Sequence, residues 1–289
     1  MHILVCSKVS IPATDRTLPA WKYLRAMGHT VTVDHPRRCP NPPDVIISMG
    51  VTVMKETFTA LNKFPGVPLF CYNWDCYEWV WTNPRPGEYN YKRYGELLKL
   101  ATEIWVPSNC TGERTTQWWG LDNWCSILSS IPYWEHDNVR DGGYALCTLR
   151  EIPDPQWDWF ERACKELGIP YKMTMHERSY EEYQDAVAGC RFLVSHCHEL
   201  STGGLTLLEG YYLGKACLLN DSKWHGGKDY LQNRAAYFNS ESFEDFKRQL
   251  SAMYVYCPKV SPDHKEYVTE NFSDRDMINS MLERITAYV

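Results

Sequence analysis

At 289 residues, with 44% hydrophobic and 23% charged residues, the sequence has the balance of a soluble globular protein and the length of two domains of roughly 130 to 150 residues each. Lys and Arg number 30 against 36 Asp and Glu, a net charge of −6 that argues against a broad basic face for phosphate backbones. The opening MHILVCSKVS has no basic segment followed by a long apolar one, and no apolar run reaches the ~18 residues of a membrane span; the expected place is the cytoplasm, or a host cytoplasm if the gene is viral.

In chain order, HILVCS reads as a strand, KVSIPATDRTLP as a loop, AWKYLRAMGH as a helix and TVTVDHP as an alternating strand, together one βαβ unit. Gly28 stops the helix just before the second strand, as a glycine beyond a helix C-terminus does. The pattern continues with the strand DVIISMG, the helix VTVMKETFTALNKF, the strand VPLFCYNWD, the helix YKRYGELLKLA, the strand TEIWVPS and the helix NCTGERTTQWWG. Such alternation implies a parallel sheet covered on both faces, with the right-handed crossovers of a Rossmann-like domain.

The polar stretch EHDNVRDGG, Glu135 to Gly143, marks a boundary. After it come the strand YALCTL, the helix PQWDWFERACKELG, the strand YKMTM, the helix SYEEYQDAVAG, the strand CRFLVSH, the helix TGGLTLLEGYYLG and the strand KACLLND. Two Rossmann-like domains are expected, over 1–137 and 144–270. Ligands in such sheets sit beyond the carboxyl ends of the strands, so two of them facing each other make a cleft. Twelve cysteines, scattered singly without CxxC or zinc-site spacing, read as buried free thiols. His196 and His198 lack partners at ligand spacing, and no metal is expected.

No P-loop motif is present and no GxGxxG follows the first strand, which counts against phosphate-loop and dinucleotide enzymes. The informative segment is SHCHELSTGGLTLLEGYYLGKACLLND, where Thr202, Gly203 and Gly204 open a helix whose bare amides suit an anion such as a diphosphate. Glu209 lies about two turns further on an otherwise apolar helix. Either its carboxylate accepts paired hydrogen bonds from sugar hydroxyls, or Glu209 merely reaches solvent.

This segment resembles the signature of the family 4 group of retaining GT-B glycosyltransferases, approximately P-S…E-G-F-G-x-x-x-L-E-A…G-K-P-V. Ser195, Gly204, Leu208, Glu209, Gly214 and Lys215 fall in register with it. The resemblance implies a GT-B fold, two Rossmann-like domains facing across a cleft, with a final helix over 271–289 that crosses back to the first domain. It passes to Glu209 the binding of the donor ribose, and to the backbone of Gly203, Gly204 and Leu205 the donor sugar and diphosphate. The family's first glutamate should stand eight positions before Glu209, where Ser201 is found; Glu199 is the alternative, through a loop two residues longer. Arg150 is the match to the basic pair that neutralises the leaving diphosphate, and EIPDPQW replaces the usual Lys-Gly. Lys215 follows a glycine as in the family, where it serves either the phosphate or the helix-to-strand turn.

In the first domain SKVSIPATDR stands where the family carries a glycine pair, with Lys8 and Ser10 as polar substitutes toward the donor. CYNWDCYEWVW follows a strand where the family often has His-Asp; Asp75 matches the aspartate and Trp74 replaces the histidine. A carboxylate there, among Tyr72, Trp74, Tyr77 and Trp79, either orients an acceptor hydroxyl and takes its proton or caps a helix beside core aromatics.

The expected function is transfer of a sugar from a UDP- or GDP-sugar co-substrate to a hydroxyl acceptor, with retention, without a required cofactor or metal. The acceptor is left open among a glycan, a small molecule and a hydroxymethylated base in viral DNA, the last disfavoured by net charge. The alternatives are a non-catalytic nucleotide-sugar-binding protein and a sugar-nucleotide epimerase on the same architecture.

Overall fold

The chain divides into two units, Met1–Ser130 with Phe272–Val289, and Ile131–Asn271. The computed structural model describes residues 1–8, 18–74, 91–131, 134–147, 158–174, 179–195 and 205–289.

In the first unit β1 (His2–Cys6), β2 (Thr30–Asp34), β3 (Val45–Met49), β4 (Leu69–Tyr72), β5 (Glu103–Val106) and β6 (Trp124–Ser126) form a six-stranded sheet. Its order is β2-β1-β3-β4-β5-β6, and all pairs are parallel. Helices α1 (Leu18–Ala26), α2 (Met54–Lys63), α3 (Tyr91–Leu98) and α4 (Asn109–Trp119) connect the strands. Alternation along β1 sends Ile3 and Val5 to one face and Leu4 and Cys6 to the other, each into its own apolar cluster. Both faces are therefore covered, as an all-parallel sheet requires.

The short edge strand β6 went unread in the sequence. Its Trp124 lies against Gly112 of α4, where an added Cβ would come within 2.4 Å of the indole. Packing of one ring on a bare helix backbone, rather than a run of apolar residues, fixes this strand.

A helix at the end of the chain completes the first unit.

 It spans Asp274–Thr286, and Ser273 caps it by accepting from the Asp276 amide. Its Met277, Ile278, Met281, Leu282 and Ile285 form one helical stripe buried against Ile3, Val5, Val45, Ile47 and Phe70. On the same helix Arg284 donates from Nε and Nη2 to the buried carboxylate of Glu103, which also accepts from the Trp105 indole at 3.0 Å.

The second unit holds β7 (Ala145–Cys147), β8 (Tyr171–Met173), β9 (Phe192–Ser195), β10 (Ala216–Asn220) and β11 (Ala236–Phe238) in the order β11-β10-β9-β7-β8, again all parallel. Its helices are α5 (Trp159–Leu167), α6 (Tyr180–Gly189), α7 (Leu205–Tyr212), α8 (Gly227–Leu231), α9 (Phe243–Tyr256) and α10 (His264–Asn271), and Asp274–Thr286 is then α11. Helix α6 opens on a full capping box between Ser179 and Glu182. Phe192, Val194, Leu218 and Phe238 of the sheet pack with Phe160 and Ala163 of α5 and Phe246, Leu250 and Met253 of α9. Two parallel α/β sheets are thus present, as the alternating pattern implies. Strand β11 and helices α8 to α10 went unread. Within 271–289, where a final helix is expected, α11 spans Asp274–Thr286 in the first unit, while α10 before it belongs to the second.

Between α7 and β10 the chain turns on Gly214, with φ of 76°, a left-handed conformation that suits glycine. The next residue, Lys215, is buried at 5% exposure, and its ammonium donates to the carbonyls of Arg140 at 2.7 Å and Cys190 at 2.8 Å. Burial pushes its pKa down.

Two stability predictions follow from these interior charges. Burial pushes the Glu103 carboxyl up, but the bonds from Arg284 and Trp105 outweigh it and hold the group below its ordinary value of 4.5. A lowered carboxylate pKa gives stability that is full above the unfolded value and is lost as pH falls through the folded one. Arg284→Ala leaves the burial uncompensated, so the acid-side loss of melting temperature should move to higher pH. At neutral pH the cost should be about 2 kcal/mol, below the range for a fully buried pair because Arg284 is half-exposed; circular-dichroism melts across pH 3–7 measure both. Lys215→Met should cost about 2 kcal/mol in urea denaturation, since it removes a charged donor from two interior carbonyls.

Candidate active site

In a doubly wound sheet the ligand crevice lies at the carboxyl ends of the strands, where the strand order reverses. In the second unit that point is between β7 and β9, which end at Cys147 and Ser195. Arg150 follows β7 in the chain, and Glu199, Ser201, Thr202, Gly203 and Gly204 follow β9. All six lie outside the described residues, as do Asp75, Ser10, His196 and His198.

The described part of this crevice rests on α7. Leu205, its first residue, is partly buried, and Glu209 stands four residues on, about 6 Å along the axis. Glu209 does not reach solvent: it is 2% exposed, on a helix whose residues from Leu207 to Tyr212 are all buried. Its carboxylate accepts a hydrogen bond from the Tyr183 hydroxyl, and that hydroxyl lies 3.0 Å from Thr206 Oγ1. The helix can sit this deep because Gly210 meets β9 with no side chain; a Cβ there would fall 1.8 Å from Leu193 Cδ1.

A second fixed point joins the ends of β9 and β10. Ser195 Oγ lies 2.8 Å from His225 Nε2, with both residues buried. His225 Nδ1 accepts from the Gly227 amide at 3.1 Å, so Nε2 carries the proton and donates to Ser195. A serine that accepts from the imidazole is not activated by it, and a Ser-His hydrolase reading fails on tautomer. The WHGG turn holds the sheet edge through its histidine.

Lys215 precedes β10 at the amino edge of the sheet, the edge opposite Ser195, and its ammonium is committed to Arg140 and Cys190. Lys8 is exposed two residues beyond β1. In the first unit Asn73, buried after β4, donates from its side chain to Thr115 at 3.0 Å and accepts from Tyr94 at 3.2 Å. Trp74 packs on Tyr72, ring centroids 4.4 Å apart. The chain is thereby fixed up to the residue before Asp75. Among the described residues no group of three His, Cys, Asp or Glu side chains could hold a metal ion, and no helix is long and apolar enough to cross a membrane.

Sequence reasoning found Glu209 through its register with a motif and missed Tyr183, which carries no signal in SYEEYQDAVAG beyond an ordinary helix face. Nothing in the sequence signals the bond between His225 and Ser195.

No family model and no curated protein matches the sequence. Solved structures do match. Sucrose-phosphate synthase (tll1590) from Thermosynechococcus elongatus is similar at a TM-score of 0.70 and 9% identity, over 99% of this chain and 98% of that one. Anabaena Alr3699/HepE in complex with UDP and glucose is similar at 0.68 and 11% identity, over 99% and 100%. A glycosyltransferase from Rickettsia africae ESF-5 is similar at 0.63 and 13% identity, over 99% and 97%. With two all-parallel α/β units matched along nearly its whole length, the chain has the GT-B fold of these glycosyltransferases.

Proposed function

We propose that the protein is a glycosyltransferase that moves a sugar from a UDP- or GDP-sugar to a hydroxyl acceptor. The observation that carries this reading is the buried Glu209 carboxylate, set on α7 behind the switch point of a GT-B second unit and met by a tyrosine hydroxyl. A carboxylate taken out of water needs donors, and vicinal ribose hydroxyls supply two. The similarity to a structure that holds UDP and glucose supports a nucleotide-sugar donor.

In this reading Glu209 takes the ribose. The amides of Gly203, Gly204 and Leu205 take the diphosphate and sugar, with Glu199 or Ser201 beside the sugar and Arg150 facing the leaving phosphate. Preorganised amides and a guanidinium then stabilise the departing nucleoside diphosphate without a required metal. Asp75 orients the acceptor hydroxyl or takes its proton, on a chain that Asn73 anchors. Retention of configuration belongs to the same proposal.

A non-catalytic nucleotide-sugar binder is the second reading, favoured by Ser201 and Trp74 at positions where the family carries glutamate and histidine. Turnover separates the two. The enzyme reading expects nucleotide release from a UDP- or GDP-sugar in the presence of acceptors. Binding without release under any acceptor supports the binder.

For both readings, UDP or GDP at a hundred times its Kd should stabilise the chain by about 2.7 kcal/mol. Glu209→Ala should weaken nucleotide affinity at least about tenfold, one charge-assisted hydrogen bond's worth. Calorimetric titration measures this, with a melt to confirm folding; unchanged affinity removes Glu209 from the site.

A further inference from the structure

We propose that the second unit carries an accessory site at the amino edge of its sheet, built for a small organic anion: a phosphate or carboxylate group joined to an apolar body. The proposal is independent of the donor reading of Glu209, which concerns the opposite, carboxyl edge.

A cavity of about 570 Å³ lies where β10 and β11 begin. Ala216 and Ala236, the first residues of those strands, line it with Tyr211 of α7, Arg234 from the link between α8 and β11, and Lys259 and Asp263 from the link between α9 and α10. The volume falls within the roughly 300 to 1,000 Å³ of small-molecule sites.

The charges of the lining are not equivalent. Arg234 donates from Nη1 and Nη2 to the two oxygens of Asp263, each at 3.0 Å, and its guanidinium lies 4.0 Å from the centre of the Tyr267 ring. Ser261 also donates to Asp263. These bonds, that of Arg234 first, hold the Asp263 carboxyl down to about 2, so the pair is ionised at neutral pH and cancels its own charge. Lys259 is then the excess charge of the lining, one positive group in a chain of net charge −6. The Lys259 and Asn233 side chains are both exposed and make no hydrogen bond or ion pair among the described residues. An ammonium and an amide are thus open to a ligand, and within a concavity a fixed charge acts more strongly than on a convex face. Ala235, Pro258 and Val260 add apolar surface beside them, which suits a body that is not itself charged.

Backbone conformation marks the same place independently. Among the described residues two that are not glycine have positive φ, Gln232 at 47° and Cys257 at 34°. Each directly precedes a residue that lines the cavity, Asn233 and Pro258. Such conformations are costly for residues with a Cβ and persist where surrounding structure imposes them, most often at binding sites. The Arg234–Asp263 pair supplies that constraint by tying the two walls together.

Three probes that share a ring and differ in head group test the proposal: phenyl phosphate, benzoate and benzyl alcohol. Each is titrated into the full chain carrying isotope-labelled alanine methyl groups, and the shifts of the Ala216, Ala235 and Ala236 methyls give Kd by NMR. At least one anion should move these methyls and bind at least about fivefold tighter than the alcohol; the tighter anion identifies the head group. Lys259→Glu and Asn233→Asp change exposed side chains without partners, so the fold is kept. Each should weaken the anions at least about fivefold and leave the alcohol within about twofold. Absence of shifts at the three methyls with either anion overturns the proposal. So does an alcohol that binds as tightly as the anions, and so do folded variants that keep the wild-type Kd for both anions.

Discussion

Taking a carboxylate out of water costs several kcal/mol unless donors meet it, and that cost organises both units of this protein. Glu103 and Glu209 are the two glutamates buried to a few per cent exposure among the described residues. Glu103 is met by an arginine, an indole and a thiol, all from the first unit, and ties α11 to the sheet. It is dressed for structure. Glu209 is met by the hydroxyl of Tyr183, from a neighbouring helix of the second unit.

The two acids differ in donor chemistry: a guanidinium, an indole and a thiol meet Glu103, and a tyrosine hydroxyl meets Glu209. A guanidinium gives fork-shaped, charge-matched bonds that occupy both oxygens. The helix that carries Glu209 is otherwise apolar, with Leu207, Leu208 and Tyr211 in the core, so burial of the carboxylate follows from burial of the helix. Gly210 lets that helix approach Leu193 closely, and the depth it gains is what removes Glu209 from solvent.

Much of this fold is legible in the sequence because parallel strands covered on both faces must be continuous apolar runs, and the runs ILVC, VIIS, LFCY, FLVS and ACLL are such stretches. The same requirement tolerates nearly any apolar residue, which is how the fold persists at 9% identity to a structure matched end to end. What escaped was fixed by single contacts. Strand β6 depends on Trp124 over Gly112, and the start of α11 depends on the Ser273 cap. In the site, Glu209 was legible from its spacing to Gly204 and Gly214. Tyr183 was not, because a hydrogen bond between helices leaves no period in either one.

Lys215 shows the opposite case, a residue in register with a motif whose charge the fold uses elsewhere. It stands at the amino edge of β10 and gives its protons to Arg140 and Cys190, which join the entry of the unit to the turn before β9. At the carboxyl edge of the same strand pair, His225 donates to Ser195 and so links the chain after β10 to the end of β9. The two ends of β9 and β10 are thus each closed by one polar side chain from the β10 side. The register of these strands is pinned at both edges, by Lys215 at the amino edge and by the bond between His225 and Ser195 at the carboxyl edge.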